Sequence, residues 1–237
     1  MENLMIKKEN WWDTPIVKIR NEDPSGFNQR LTQIILEKEK EITAKGNSTT
    51  VAGLTKGLTT HWMEYNVLNW DFPECRELRK MVLFGYQEFL KAANFDKKPG
   101  MEIVGISCWA NVLRPGEAIQ VHHHDPSFAS AHYMVKTGME TGESLESIDS
   151  GETIYFRPGF MDRSHGGKAN GMVSPWDDDW RICSKPNPGG MTFFPSYVRH
   201  EVRPNLGTSE RISIAMDIFV KAQNAMIYFG GPRWYVP

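Results

Sequence analysis

Apolar positions fall into two textures along the chain. Before residue 100 they recur at helical spacing, and after it they come in short alternating runs. In "SGFNQRLTQIILEKEKEIT", Phe27, Leu31, Ile34 and Ile35 stand at i, i+4, i+7 and i+8. That spacing predicts an amphipathic helix with Ser25 as a cap. "DFPECRELRKMVLFGYQEFLKAANF" predicts a second helix, with the stripe Cys75, Leu78, Val82, Tyr86, Phe89 and Ala93. Asp71 is its expected N-cap, Pro73 lies in its first turn, and Glu74 completes a capping box. Each helix has one apolar face, so each should lie on something flat.

The runs after residue 100 read as strands: "MEIVGISCWANVL", "EAIQVHHH", "SAHYMVKT", "ETIYF", "GGMTFFPS", "HEVRP" and "RISIAMDIFV". Gly, Pro, Asn and Asp punctuate them. Short strands at this spacing suggest a sandwich or barrel. Helices first and strands second, without βα alternation, argue against a parallel sheet. The expectation is a mainly β single domain, 1–237, with flanking N-terminal helices. Residues 1–100 would supply an N-terminal strand and supporting helices, 101–220 the core, and 221–237 an aromatic tail. Residues 157–190 show no period and are rich in Gly, Pro, Asp and Trp. An insertion of that length suggests a lid, which Trp176 and Trp180 would help to order.

Bulk properties narrow the partners. The chain has 237 residues, 40% of them hydrophobic and 24% charged, which is enough for a sizeable core. A net charge of -2 gives no electrostatic footprint for nucleic acid or an anionic membrane. No stretch approaches a membrane span, and the start lacks the apolar core of a signal peptide. Cys75, Cys108 and Cys183 are far apart and in no zinc-type spacing, so they read as reduced thiols in a cytoplasmic protein. A small-molecule substrate is the expected partner, and a homodimer is left open.

The densest chemistry is "IQVHHHDPSF" at 119–128. On a strand, alternate residues share a face, so two registers compete. His122 and His124 share one side with Gln120. His123 and Asp125 share the other, and would give the His-x-Asp of a two-histidine, one-carboxylate iron site. In "RISIAMDI", Arg211, Ser213 and Asp217 point one way and the aliphatic residues the other. If Arg211 lines a pocket, the polar faces are the pocket faces, which favours His122 with His124. His200 in "FFPSYVRHEVRPN" can supply a third ligand from a separate strand. Arg211 follows 11 residues later. A buried guanidinium needs an anion, and its fork matches a carboxylate bidentately.

These blocks resemble the Fe(II)/2-oxoglutarate-dependent oxygenases, in a bacterial and phage branch of that superfamily. The branch runs W-x-N, a glycine, H-x-H-P, S-G-x-Y-Y-V, then F-P-S-x-x-x-H-x-V-x-P-N and R-I-S-I. Here "WAN" stands at 109–111, Gly116 follows, then "HHHD" at 122–125 and "SAHYMV" at 130–135. "FPSYVRHEVRPN" occupies 194–205 and "RISI" 211–214, and "WWDTPIVKI" is similar to the family's N-terminal strand. Asp125, in place of proline, and His132, before the tyrosine, depart from the pattern.

The resemblance implies a double-stranded β-helix core of the jelly-roll or cupin-like kind. It places Fe(II) on His122, His124 and His200, with His123 and Asp125 as the alternative register. It gives the distal carboxylate of 2-oxoglutarate to Arg211 and Ser213, and lets Asn111 or Tyr133 hydrogen-bond the same molecule. The implied activity is hydroxylation or desaturation of a small metabolite or amino-acid derivative, with release of succinate and CO2. Two other readings compete. One is a three-histidine cupin dioxygenase that needs no 2-oxoglutarate; the other is a non-catalytic jelly-roll binding module.

Overall fold

The computed structural model describes residues 4–11, 14–44, 66–139, 149–158, 181–223 and 235–237. Two strands open the chain, β1 (Leu4–Trp11) and β2 (Thr14–Asn21), followed by helices α1 (Ser25–Ala44) and α2 (Pro73–Ala92). Then come β3 (Ile103–Leu113), β4 (Ile119–His122), β5 (Ala129–Thr137) and β6 (Thr153–Phe156). Last are β7 (Arg181–Ser184), β8 (Gly190–Pro195), β9 (His200–Val202) and β10 (Arg211–Val220). They form a six-stranded sheet, β1-β2-β8-β5-β10-β3, and a four-stranded sheet, β4-β9-β6-β7. The strand pairings described are all antiparallel, in a jelly-roll core.

Alternation along β10 decides what the large sheet carries on each side. Ile212, Ile214, Met216 and Ile218 join one core cluster with Cys108, Ala110 and Val112 of β3. Leu31, Ile34 and Ile35 of α1 and Leu78, Met81, Val82, Tyr86 and Phe89 of α2 complete that cluster. The helices therefore cover one face of the large sheet, as their apolar stripes require. Gly85 lets α2 press against β8: a Cβ there would lie 2.2 Å from the Phe193 ring. The other face turns toward the small sheet. Ile16, Tyr155, Phe194 and Val198 pack between the two, as do Leu113, Ile119 and Val202.

Several local expectations need correction. The N-cap of α2 is Phe72, with no side-chain cap bond, and Asp71 instead pairs with Arg76 at 2.6 Å. Capping at Phe72 puts Pro73 first in the helix, where its missing N–H costs nothing. Ser25 begins α1 but its hydroxyl donates to Asp23 at 3.2 Å rather than capping. Ahead of β2 the chain forms a further strand, β1, whose partly exposed Met5 and Ile6 gave no alternation to read. Residues 181–184, inside the interval read as irregular, pair with β6 as β7. Trp176 and Trp180 of the proposed lid lie outside the described residues, as does most of the 221–237 tail. Tyr235 is described, and bridges Ile106.

Candidate functional site

The small sheet presents a row of side chains. His122 of β4 pairs with His200 of β9, and His200 pairs with Tyr155 of β6. Directly opposed residues of an antiparallel ladder share a face, so all three look toward the large sheet. The ladder shifts between Ile119 and His122. This irregularity turns both Ile119 and His122 inward, although they are three apart. Gln120 is exposed, which corrects its assignment to the pocket face.

His124 lies just past the end of β4. Its N–H donates to the Ser196 carbonyl at 2.9 Å, and its carbonyl accepts from Ser127 N–H at 2.9 Å. These two bonds, rather than strand periodicity, swing its ring back beside the others. The possible ligand nitrogens of His122, His124 and His200 lie within 4.8 Å of one another. His123 and Asp125 are exposed and pair with each other at 3.3 Å. The alternative register is not brought to the cluster.

Hydrogen bonding fixes which nitrogens are available. His122 Nδ1 lies 2.7 Å from the Gln120 carbonyl, and His200 Nδ1 3.1 Å from the Val198 carbonyl. His124 Nδ1 lies 3.1 Å from Asp217 Oδ1. A carbonyl or carboxylate can only accept, so each Nδ1 carries the proton and each Nε2 offers a lone pair. His124 Nε2 and His200 Nε2 then face each other at 3.3 Å. Two lone pairs at that range repel unless a cation lies between them. Burial, then the neighbouring His124, pushes the His122 imidazole down to about 4. Burial likewise holds His200 well below the usual range. Neutral imidazoles with converging Nε2 atoms fit a divalent transition metal.

Arg211 stands on the same face of the large sheet as Ser213 and Asp217. The residue is 1% exposed. Its Nε donates to the Gly151 carbonyl at 3.0 Å and a terminal nitrogen to Ser213 Oγ at 3.2 Å. Among the described residues no carboxylate lies within ion-pair distance of it. Burial pushes its guanidinium down to about 10. A buried guanidinium held by neutral partners is a site for an external anion. Gly151 makes this seat possible. It has a φ of 60° and a Cβ there would sit 2.8 Å from Arg211 Cδ.

Residues 107–217 match a family described as "Putative 2OG-Fe(II) oxygenase". The fold is similar to a prolyl-4-hydroxylase from Pseudomonas putida, at 15% identity and a TM-score of 0.54, over 90% of this chain and 91% of that one. A prolyl hydroxylase from Trichoplax adhaerens gives 15% identity and a TM-score of 0.56, over 90% and 87%. A non-heme alpha-ketoglutarate-dependent carbocyclase of nogalamycin biosynthesis gives 15% and 0.52, over 88% and 80%. No curated protein matches the chain. The likeness is to the core of 2OG-Fe(II) oxygenases.

The remaining candidates sort by face. Ser213 pairs with Asn111 of β3, so Asn111 stands on the same face of the large sheet as Arg211. Tyr133 does not. It pairs with Ile214, its hydroxyl donates to Asn28 of α1 at 2.7 Å, and its ring packs edge-on against Phe27. One step of strand alternation puts it under the helices, which corrects its assignment to the co-substrate.

The neighbour on the face away from the helices is His132, opposite Ala215 on β10 and Thr192 on β8. His132 Nε2 lies 3.1 Å from the Tyr155 hydroxyl. Sequence reasoning passed over Tyr155 and Gly151. The alternation in "ETIYF" held the signal for Tyr155, but nothing in the sequence announced Gly151 under an arginine 60 residues away.

Burial, then Arg211, pushes the His132 imidazole down to about 3. The unfolded chain would protonate it near the ordinary value of about 6.5. Its folded value is depressed, so its stabilising contribution is complete above pH 6.5 and is lost as pH falls from there toward 3. The metal-free protein should therefore lose melting temperature between pH 7 and 4. His132→Gln should flatten that slope. Equal slopes in calorimetry would show that His132 contributes nothing to it.

Proposed function

We propose that the chain is an Fe(II)- and 2-oxoglutarate-dependent oxygenase that hydroxylates or desaturates a small metabolite or amino-acid derivative. The observation that carries this reading is Arg211, a buried cation with no carboxylate within ion-pair distance among the described residues, on the same face of the large sheet as Asn111. His122, His124 and His200 would hold the metal through Nε2. Arg211 would take the distal carboxylate of the co-substrate, with Ser213 bracing the guanidinium and Asn111 beside it. When bound, Fe(II) with 2-oxoglutarate and dioxygen supplies the oxidising chemistry, and the keto acid leaves as succinate and CO2.

Beside His122 lies an open hollow of about 390 Å³, lined among the described residues by Val121, His122, His123 and Arg199. That is the scale of a small-molecule site. The Arg199 side chain is exposed and has no partner among the described residues, so an acidic group on the substrate would find a cation there.

The 2-oxoglutarate-independent cupin and the non-catalytic module remain the competitors. A substrate-library screen for succinate formation separates all three. The expected result is succinate that requires both Fe(II) and 2-oxoglutarate and rises with one small acidic substrate class. Oxygen consumption that ignores 2-oxoglutarate would favour the cupin dioxygenase. Absence of any turnover, with a ligand still bound, would favour the module.

A further inference from the structure

The three histidines are not supported alike. His122 and His200 lean on neutral backbone carbonyls, those of Gln120 and Val198. His124 leans on a carboxylate, Asp217 Oδ1, at 3.1 Å. Among the described residues Asp217 is the acidic side chain that touches a ring of this cluster. Its neighbour Asp125 turns instead to His123 and accepts from Ser196 Oγ at 3.2 Å. Asp217 is itself held, because Ser130 Oγ donates to Oδ1 at 2.9 Å and Ser130 stands opposite it on β5. The Asp217 side chain is 17% exposed and the His124 side chain 9%, so solvent screens the pair little.

We infer that Asp217 is the carboxylate of this metal centre, placed one imidazole away from the metal instead of on it. A site of two histidines and one carboxylate contributes one negative charge to a dication, whereas three neutral imidazoles contribute none. Asp217 returns that charge through His124. It locks the Nδ1–H tautomer, orients the ring, and makes Nε2 a more basic donor. One ring of three backed by an anion reproduces the two-plus-one asymmetry with one bond inserted. Asp217 acts through His124, so it is a positioning residue rather than a catalytic one. The inference rests on the metal reading of the cluster and concerns metal affinity and electronics, not turnover.

The test is titration of Co(II) and of anaerobic Fe(II) into the full chain and its variants, following the visible ligand-field bands. Asp217→Asn keeps the shape and removes the charge. It should weaken both metals by roughly 10- to 100-fold, shift the Co(II) bands and raise the Fe(III)/Fe(II) potential. Asp217→Glu should recover part of the affinity. Ser130→Ala removes the brace but leaves the charge, and should weaken metal binding far less than Asp217→Asn. His124→Asp in the Asp217→Asn background moves the carboxylate onto the metal and should regain affinity over Asp217→Asn alone. Melting of each metal-free variant reports whether the fold survives.

Wild-type affinity, bands and potential in Asp217→Asn would overturn the inference while leaving the metal site intact. So would equal losses in Ser130→Ala and Asp217→Asn, which would make Asp217 a strand brace. Failure of the wild type to bind either metal would overturn the metal reading itself.

Discussion

Replacing Arg211 by alanine should raise the dissociation constant for 2-oxoglutarate by at least one order of magnitude while leaving metal binding nearly intact. Arg211 is buried and its described partners are the Gly151 carbonyl and Ser213 Oγ, so a carboxylate from outside would meet an already oriented fork. Loss of a charge-assisted contact to a desolvated carboxylate costs about 2–5 kcal/mol, or roughly 30- to 5000-fold in affinity. Arg211→Lys should recover only part, because an ammonium lacks the bidentate fork. The measurement is anaerobic titration of 2-oxoglutarate into the Fe(II)-loaded protein, following the charge-transfer absorption of the chelate. An unchanged constant in Arg211→Ala would remove the residue from co-substrate binding and turn attention to the 2-oxoglutarate-independent reading.

Replacing His200 or His122 by alanine should cost more metal affinity than the roughly 10- to 100-fold typical of losing a group behind a ligand. Each supplies one of three converging nitrogens, and a two-nitrogen remnant holds a dication poorly. His123→Ala and Asp125→Ala should bind Fe(II) as the wild type does, since that pair is exposed and turned to itself. Equilibrium dialysis against Fe(II) or Co(II) distinguishes the two sets. Loss in the His123 and Asp125 variants, with full binding in His122→Ala, would reverse the register.

Most of the layer order was legible because burial writes itself into spacing. The stripes of α1 and α2 announced helices lying on a sheet, and the alternation in "RISIAMDI" announced which side of β10 the helices cover. Helix starts were less legible: Asp71 and Phe72 both precede Pro73, and the proline's missing N–H chose between them. β1 was illegible because an edge strand with exposed Met5 and Ile6 buries no regular set of positions.

The site divides in the same way. The sequence by itself determined the candidate ligand types, the polar face of β10 and the spacing that carries the family likeness, because these depend on residue identity and period. It could not decide the path from His122 to His124. Strand alternation chose the pair that the structure brings together, but for an incomplete reason, since β4 ends at His122 and the Ser196 carbonyl and Ser127 N–H return His124 to the cluster. It also could not seat Tyr133, which one step of register sends beneath α1 to meet Asn28. Gly151 under Arg211, Tyr155 against His132 and Asp217 behind His124 were decided by the tertiary structure alone. Each joins residues distant in sequence, and only the pairing and stacking of the two sheets bring such groups within hydrogen-bond range.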